Sequence, residues 1–165
     1  MDSITKTNKI ITILLRLVAL AATIPSIVVM VISNESTQIF DFTFSAQYDN
    51  LPTFTYFVVA EAIAAGYSFI VIFLSLKSSF WRVIIILDVV VTLLLTSSVS
   101  ATLAVALIGK NGNTYAGWDP ICGQFSKFCD YVAGAVSCGF VATIIYVLIV
   151  LYDLHILSPF FNSKP

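Results

Sequence analysis

The stretch Val83–Ile108, VIIILDVVVTLLLTSSVSATLAVALI, decides the fold. It carries a single charge, Asp88, in 26 residues. About 20 apolar residues in a helix cross roughly 30 Å of hydrocarbon. A strand this long and this apolar has no place in a soluble sheet. Three further runs of the same kind lie at Ile10–Ile32, Pro52–Leu76 and Tyr131–Leu157. Each is long enough to cross with some tilt. Short segments of alternating polarity, the mark of a membrane barrel, do not occur. In lipid a continuous run must close its own backbone hydrogen bonds, which selects the helix.

Composition agrees. Of 165 residues, 59% are hydrophobic and only 10% charged, and the mean hydropathy is +0.99. A soluble domain carries about 25% charged residues. The fold expected is an all-α membrane protein, a four-transmembrane-helix bundle forming one domain over residues 1–165. The spans are 10–32, 52–76, 83–108 and 131–157, joined on one side by loops 33–51 and 109–130. The first run is too long for a cleaved signal peptide and no A-x-A-like cleavage site closes it, so it reads as a retained signal anchor. A net charge of −1 gives no reason to expect nucleic acid.

Basic residues orient the chain. Lys6 and Lys9 precede the first span, Lys77 and Arg82 bracket the second connection, and Lys164 lies near the C-terminus. The loop 33–51 has no Lys or Arg, and 109–130 has only Lys110 and Lys127. The positive-inside rule then places both termini in the cytoplasm and the two longer loops outside.

Three charges fall within spans: Arg16, Glu61 and Asp88. Each costs at least about 2.5–3.5 kcal/mol near mid-membrane unless paired or snorkelling. Arg16 lies about 9 Å, and Asp88 about 7.5 Å, from the cytoplasmic ends of their helices at the usual helical rise. Glu61 lies about 22 Å up, out of reach of Arg16. The matched depths suggest an Arg16–Asp88 ion pair that sets register between the first and third helices. The alternative is a snorkelling arginine and a protonated aspartate. Asp88, Thr92, Thr96 and Ser100 recur every four residues as a polar stripe. Hydroxyls in membrane helices ordinarily bond backbone or a neighbouring helix; a conduction path is the sharper alternative. Glu61 is either protonated and hydrogen-bonded or lines a small wet cavity.

Small residues suggest close helix packing: Ala60, Ala64 and Ser68 with Ala62 and Gly66 on the second span, and Gly134, Cys138 and Ala142 with Ala135 and Gly139 on the fourth. They serve packing within one bundle or association between copies. Pro25 is expected to kink the first helix. Cys122 and Cys129, seven apart in a loop on the oxidising side, are expected to form a disulfide. A ring this small contributes on the order of 2–3 kcal/mol in the loop-entropy picture. Trp118, Phe125 and Phe128 surround it, either as interfacial anchors or as a contact surface. Asn34-Glu35-Ser36 is a glycosylation sequon close to the membrane.

No C-x-x-C and no phosphate-binding glycine loop is present. His155 beside Asp153 makes neither a metal site nor a triad. The chain reads as a non-enzyme without cofactors or metals.

Gly112-Asn113 with Trp118, the Ile121-Cys122 and Phe128-Cys129 pairs, and an arginine and an aspartate at positions 16 and 88 of the first and third spans resemble the Casparian strip membrane proteins of land plants, in their broader CASP-like branch, with a distant similarity to MARVEL tetraspan proteins. The resemblance covers nearly the whole chain. Its most specific parts are these loop residues with Ala133-Gly134-Ala135 and Ser137. Tyr48 with Leu51-Pro52, then Phe57-Val58-Val59-Ala60 and Gly66-Tyr67-Ser68, match the family's second helix, and Arg16 and Asp88 match its charges in the first and third. The resemblance implies a multi-pass plasma-membrane protein that forms homo- and hetero-oligomers with related tetraspans. It implies a scaffold that limits lateral diffusion and directs extracellular wall-modifying enzymes. The first loop, NESTQIFDFTFSAQYDNLP, lacks the E-T-L-P-F-F-T-Q-F stretch of the strip-forming members. A CASP-like scaffold in another cell type is therefore the expectation, with a small oligomeric transporter or channel using Arg16, Glu61 and Asp88 as the alternative.

Overall fold

A computed structural model describes residues 2–39, 42–74 and 81–162. Four helices dominate: α1 (Asp2–Val31), α2 (Pro52–Leu74), α3 (Trp81–Asn111) and α4 (Ser126–Asn162). All four contain runs long and apolar enough to cross a membrane. Four crossings return the chain to the side it started from, so both ends of the bundle lie together. Lys77 and Lys164, used above for orientation, lie outside the described residues. Arg82, Lys110 and Lys127 are exposed.

Around the bundle each helix packs on its neighbours in the order α1, α2, α3, α4 and back to α1. The pairs α1/α3 and α2/α4 therefore face each other across diagonals. Two cores fill the centre. The one near the long loops gathers Met30, Phe54, Phe57, Val99, Phe128 and Val132; the one toward the termini gathers Ala19, Ala64, Leu95, Tyr146 and Ile149. The opposite faces, with Leu14, Val18, Phe69, Phe73, Ile86 and Leu93, are exposed. Lipid tails are as apolar as these side chains, so no hydrophobic drive pushes the helices together. Packing and interhelical polar contacts must hold the bundle.

The helices extend beyond the runs read from hydropathy, because a helix ends where its backbone is capped and not where lipid stops. α3 begins at Trp81 and continues to Asn111; α4 begins at Ser126, five residues before the expected boundary. The irregular part of the second loop shrinks accordingly. Gly112 follows α3 with φ 68°, and its N–H donates to the Ile108 carbonyl at 2.8 Å. That left-handed residue is the usual glycine stop to a helix. A Cβ there would lie 2.6 Å from the Trp118 carbonyl oxygen, so glycine also permits the Asn113–Trp118 bridge. Asn113 Oδ1 accepts the amides of Tyr115 and Ala116 at 3.1 and 3.2 Å, closing a tight turn.

The first loop is not irregular. β1 (Asn34–Ile39) and β2 (Phe42–Gln47) form an antiparallel hairpin registered from Asn34↔Gln47 to Ile39↔Phe42. Alternation in FTFSAQ and the β-branched and aromatic residues favour it. Half-buried Ala46 and Tyr48 lay its base on the loop-side core. Asn34, the sequon residue, is exposed at the foot of β1, three residues beyond the end of α1.

Small residues divide between two faces. Ala60, Ala64 and Ser68 point fully inward, whereas Ala62 and Gly66 lie on the outer side of α2. Gly66 has nothing within 4 Å of where a Cβ would stand. Of the two roles open to Gly66, packing within the bundle is the one its outward position disfavours: a step of two residues from Ala64 turns the position through some 200°. Gly66→Ala is accordingly expected to leave the thermal midpoint unchanged or raise stability by about 0.5–1 kcal/mol through the backbone entropy of glycine. That midpoint is read on the single chain in detergent; fewer crosslinked multimers of Gly66→Ala in membranes would place Gly66 in a contact between copies.

Candidate functional site

The candidate site is a column of buried polar groups on the bundle axis. At the terminal end, Arg16 of α1 meets Asp88 of α3 across a diagonal. Arg16 Nη2 donates to Asp88 Oδ1 at 2.9 Å and Oδ2 at 2.7 Å. The side chains are 1% and 0% exposed. This is the one ion pair among the described residues. The guanidinium carbon stands 5.5 Å from the centre of the Tyr67 ring, close enough for a cation–π contribution. The Tyr67 hydroxyl donates to the Ile84 carbonyl at 2.9 Å, tying α2 to α3 beside the pair.

Asp153 of α4 completes this level. It is 0% exposed, lies within electrostatic reach of Arg16 and Asp88, and neither of its carboxylate oxygens has a hydrogen-bond partner among the described residues. Arg16 Nε and Nη1 are likewise buried without such partners. Sequence reading treated Asp153 only as the neighbour of His155. The usable signal was the spacing Tyr146, Ile149, Asp153, which repeats every three to four residues on one apolar face. His155 itself is exposed.

Above lies the second diagonal, α2 against α4. The Tyr146 hydroxyl donates to the Ala64 carbonyl at 2.6 Å. Its one proton is then committed, so Ser68 Oγ, also 2.6 Å away, donates to the phenolic oxygen. Gly139 of α4 lies against two side chains of α2: a Cβ there would stand 2.7 Å from Glu61 Oε1 and 2.8 Å from Phe57 Cζ. Glu61 is 0% exposed, and both its oxygens lack a hydrogen-bond partner among the described residues. Ser26 Oγ donates to the Ala135 carbonyl at 3.0 Å, tying α1 to α4.

The hydroxyl stripe does not follow this column. Thr92 Oγ1 donates to the Asp88 carbonyl at 2.6 Å and Thr96 Oγ1 to the Thr92 carbonyl at 2.8 Å. Thr96 and Ser100 face outward. A four-residue step overshoots one turn of 3.6, so the row drifts off the buried face. The buried hydroxyls of α3 are Ser98 and Thr102. On α4, Cys138 is half-buried and free, while Gly134 is exposed with only Val29 at 3.8 Å from its would-be Cβ.

At the loop end Cys122 and Cys129 are bridged, with Cα atoms 5.7 Å apart. Trp118 is 59% exposed and Phe125 half-buried. Phe128 is no surface residue: it is 3% exposed and packs its ring 6.0 Å from that of Phe54. The reason is that α4 starts before it, turning it into the core. The Phe128 N–H donates to Glu35 Oε2 at 3.0 Å, so a carboxylate from the hairpin caps the first turn of α4. An anion there meets unpaired amides and the positive end of the helix dipole. Glu35→Ala should cost about 1 kcal/mol and speed amide exchange at Phe128. Unchanged exchange would show that the cap contributes nothing.

Among the described residues no three His, Cys, Asp or Glu side chains are grouped to hold a metal. What the column can do is clamp helix to helix across both diagonals.

These features define a four-span, multi-pass membrane protein with a polar-locked bundle and a disulfide-bridged loop. Residues 5–145 match the Casparian strip membrane protein domain. The chain belongs to that family, in its CASP-like branch. It is 56% identical to CASP-like protein 1C2 of Populus trichocarpa over 161 residues, 97% of this chain and 99% of that protein. It is 51% identical to CASP-like protein 1C2 of Ricinus communis, over 96% of this chain and 97% of that one. CASP-like protein 1C1 of Arabidopsis thaliana is 46% identical over the same shares. No solved structure matches the chain.

Proposed function

We propose that the protein is a non-catalytic plasma-membrane scaffold that assembles with its own copies and with related tetraspans into platforms. Both termini would lie in the cytoplasm, with the hairpin and disulfide loop outside, where they could hold wall-modifying enzymes. One observation carries the reading: buried polar side chains tie the helices of one bundle together across both diagonals. Arg16–Asp88 spans one diagonal and Tyr146 with Ala64 and Ser68 the other. What the bundle offers outward is apolar faces and two ordered loops. The outward Ala62 and Gly66 support close approach of a second copy.

Crosslinking in native membranes and fluorescence recovery of the tagged chain in its own cells test this. Multimers and an immobile fraction are expected. A freely diffusing monomer would end the scaffold reading.

A second reading, a small transporter or channel, rests on the buried and unpartnered carboxylate of Glu61. Flux into liposomes that Glu61→Gln abolishes would favour it.

A further inference from the structure

At the loop end, α3 and α4 part to leave a cavity of about 450 Å³. Ile121 and the Cys122–Cys129 bridge roof it, and Phe54, Ala106, Val132 and Val136 line its depth. The roof is stitched to α3 by the Ile121 N–H, which donates to the Gly109 carbonyl at 2.9 Å. Leu103 and Leu107 on one lip and Ala133 and Ser137 on the other are exposed, so the slot opens sideways into the bilayer. From Leu103 to Lys110 along α3 it spans about 10 Å at the helical rise. That is about two thirds of one leaflet of hydrocarbon, about 15 Å.

Its mouth is different in kind. Lys110 and Asp119 border it, both exposed and not ion-paired with each other, alongside the exposed indole of Trp118. We propose that this slot holds one phosphatidylcholine molecule of the adjacent leaflet. An acyl chain fills the apolar depth, Lys110 meets the phosphate, and Asp119 with Trp118 meets the quaternary ammonium. Aromatic faces and carboxylates are the groups that recognise such a cation. A zwitterion also matches two opposite charges that form no ion pair among the described residues.

A helix from a second copy fits worse. At about 10–12 Å across, it would displace roughly 1,000 Å³ over that depth, about twice the space present. The slot is sized for a chain of methylenes.

The test is native mass spectrometry of the full chain, released from detergent containing equimolar phosphatidylcholine and phosphatidylglycerol. One phosphatidylcholine per chain should survive, with about tenfold preference over phosphatidylglycerol. Ala106→Trp, which fills the slot, should abolish retention, while Leu93→Trp on the outward face of α3 should not. Asp119→Lys, on the exposed loop, should reverse the headgroup preference, and it keeps the proposal testable should the tryptophan at 106 unfold the bundle. Three results would overturn the assignment: no retained lipid on the wild-type chain, several lipids without preference as an annulus gives, or a lipid-free dimer that Ala106→Trp dissolves. The last would assign the slot to a second copy.

Discussion

Arg16→Met should destabilise the bundle by about 3–5 kcal/mol, because it leaves the Asp88 carboxylate buried without its counter-charge. Asp88 is 0% exposed and takes both of its hydrogen bonds from Arg16 Nη2. Asp88→Asn should do similar damage from the other side. The loss would be read as a lower midpoint of unfolding of the detergent-solubilised chain. Reversing the pair, Arg16→Asp with Asp88→Arg, should recover part of the loss. A reversal no better than either single change would show that the two charges do not act together. Replacing both with apolar residues, Arg16→Met with Asp88→Leu, should come close to neutral. That last variant separates stability from register: the bundle should survive while the choice of helix partner loosens.

The second large effect lies at Gly139. Replacement by Leu must push Phe57 and Glu61 out of a crossing where a bare Cβ already falls 2.7–2.9 Å from their atoms. Both side chains are fully buried, so any shift has to be taken up inside the bundle. Overpacking of this kind costs about 1–3 kcal/mol, and a leucine belongs at the upper end or beyond. Gly139→Ala should cost less but still register. Thermal unfolding beside Gly66→Ala, which has open space, provides the comparison. Equal tolerance at both positions would mean that α2 and α4 do not meet closely at residue 139.

The spans could be read from the sequence because hydrocarbon imposes one simple rule on long segments. The depths of Arg16 and Asp88 could be counted from the helix ends, and the structure joins these two side chains at 2.7 Å. What could not be read depends on which way a side chain turns. Gly66 and Gly139 look alike as small residues, yet one faces outward and the other sits against Phe57. Phe128 was assigned to the loop surface because SKFCD is polar enough to look like loop. The helix nevertheless begins there, capped by Glu35 from a segment 93 residues earlier in the chain. No local pattern announces such a cap. The hairpin leaves little trace because the alternation in FTFSAQ covers only six residues. Asp153, an acidic residue near the expected end of a span, looks like a flank, yet it turns inward.

The four spans are unequal. The apolar runs of the third and fourth spans cover 26 and 27 residues, against 23 and 25 in the first and second. At the helical rise that is about 40 Å beside about 36 Å, around a hydrocarbon layer of about 30 Å. Surrounding lipids must stretch, or the long pair must lean, at fractions of a kcal/mol per Å of mismatch. The penalty shrinks in a thicker, sterol-rich bilayer. Helix length alone thus gives the molecule a thermodynamic preference among the cell's membranes, independent of any sorting receptor.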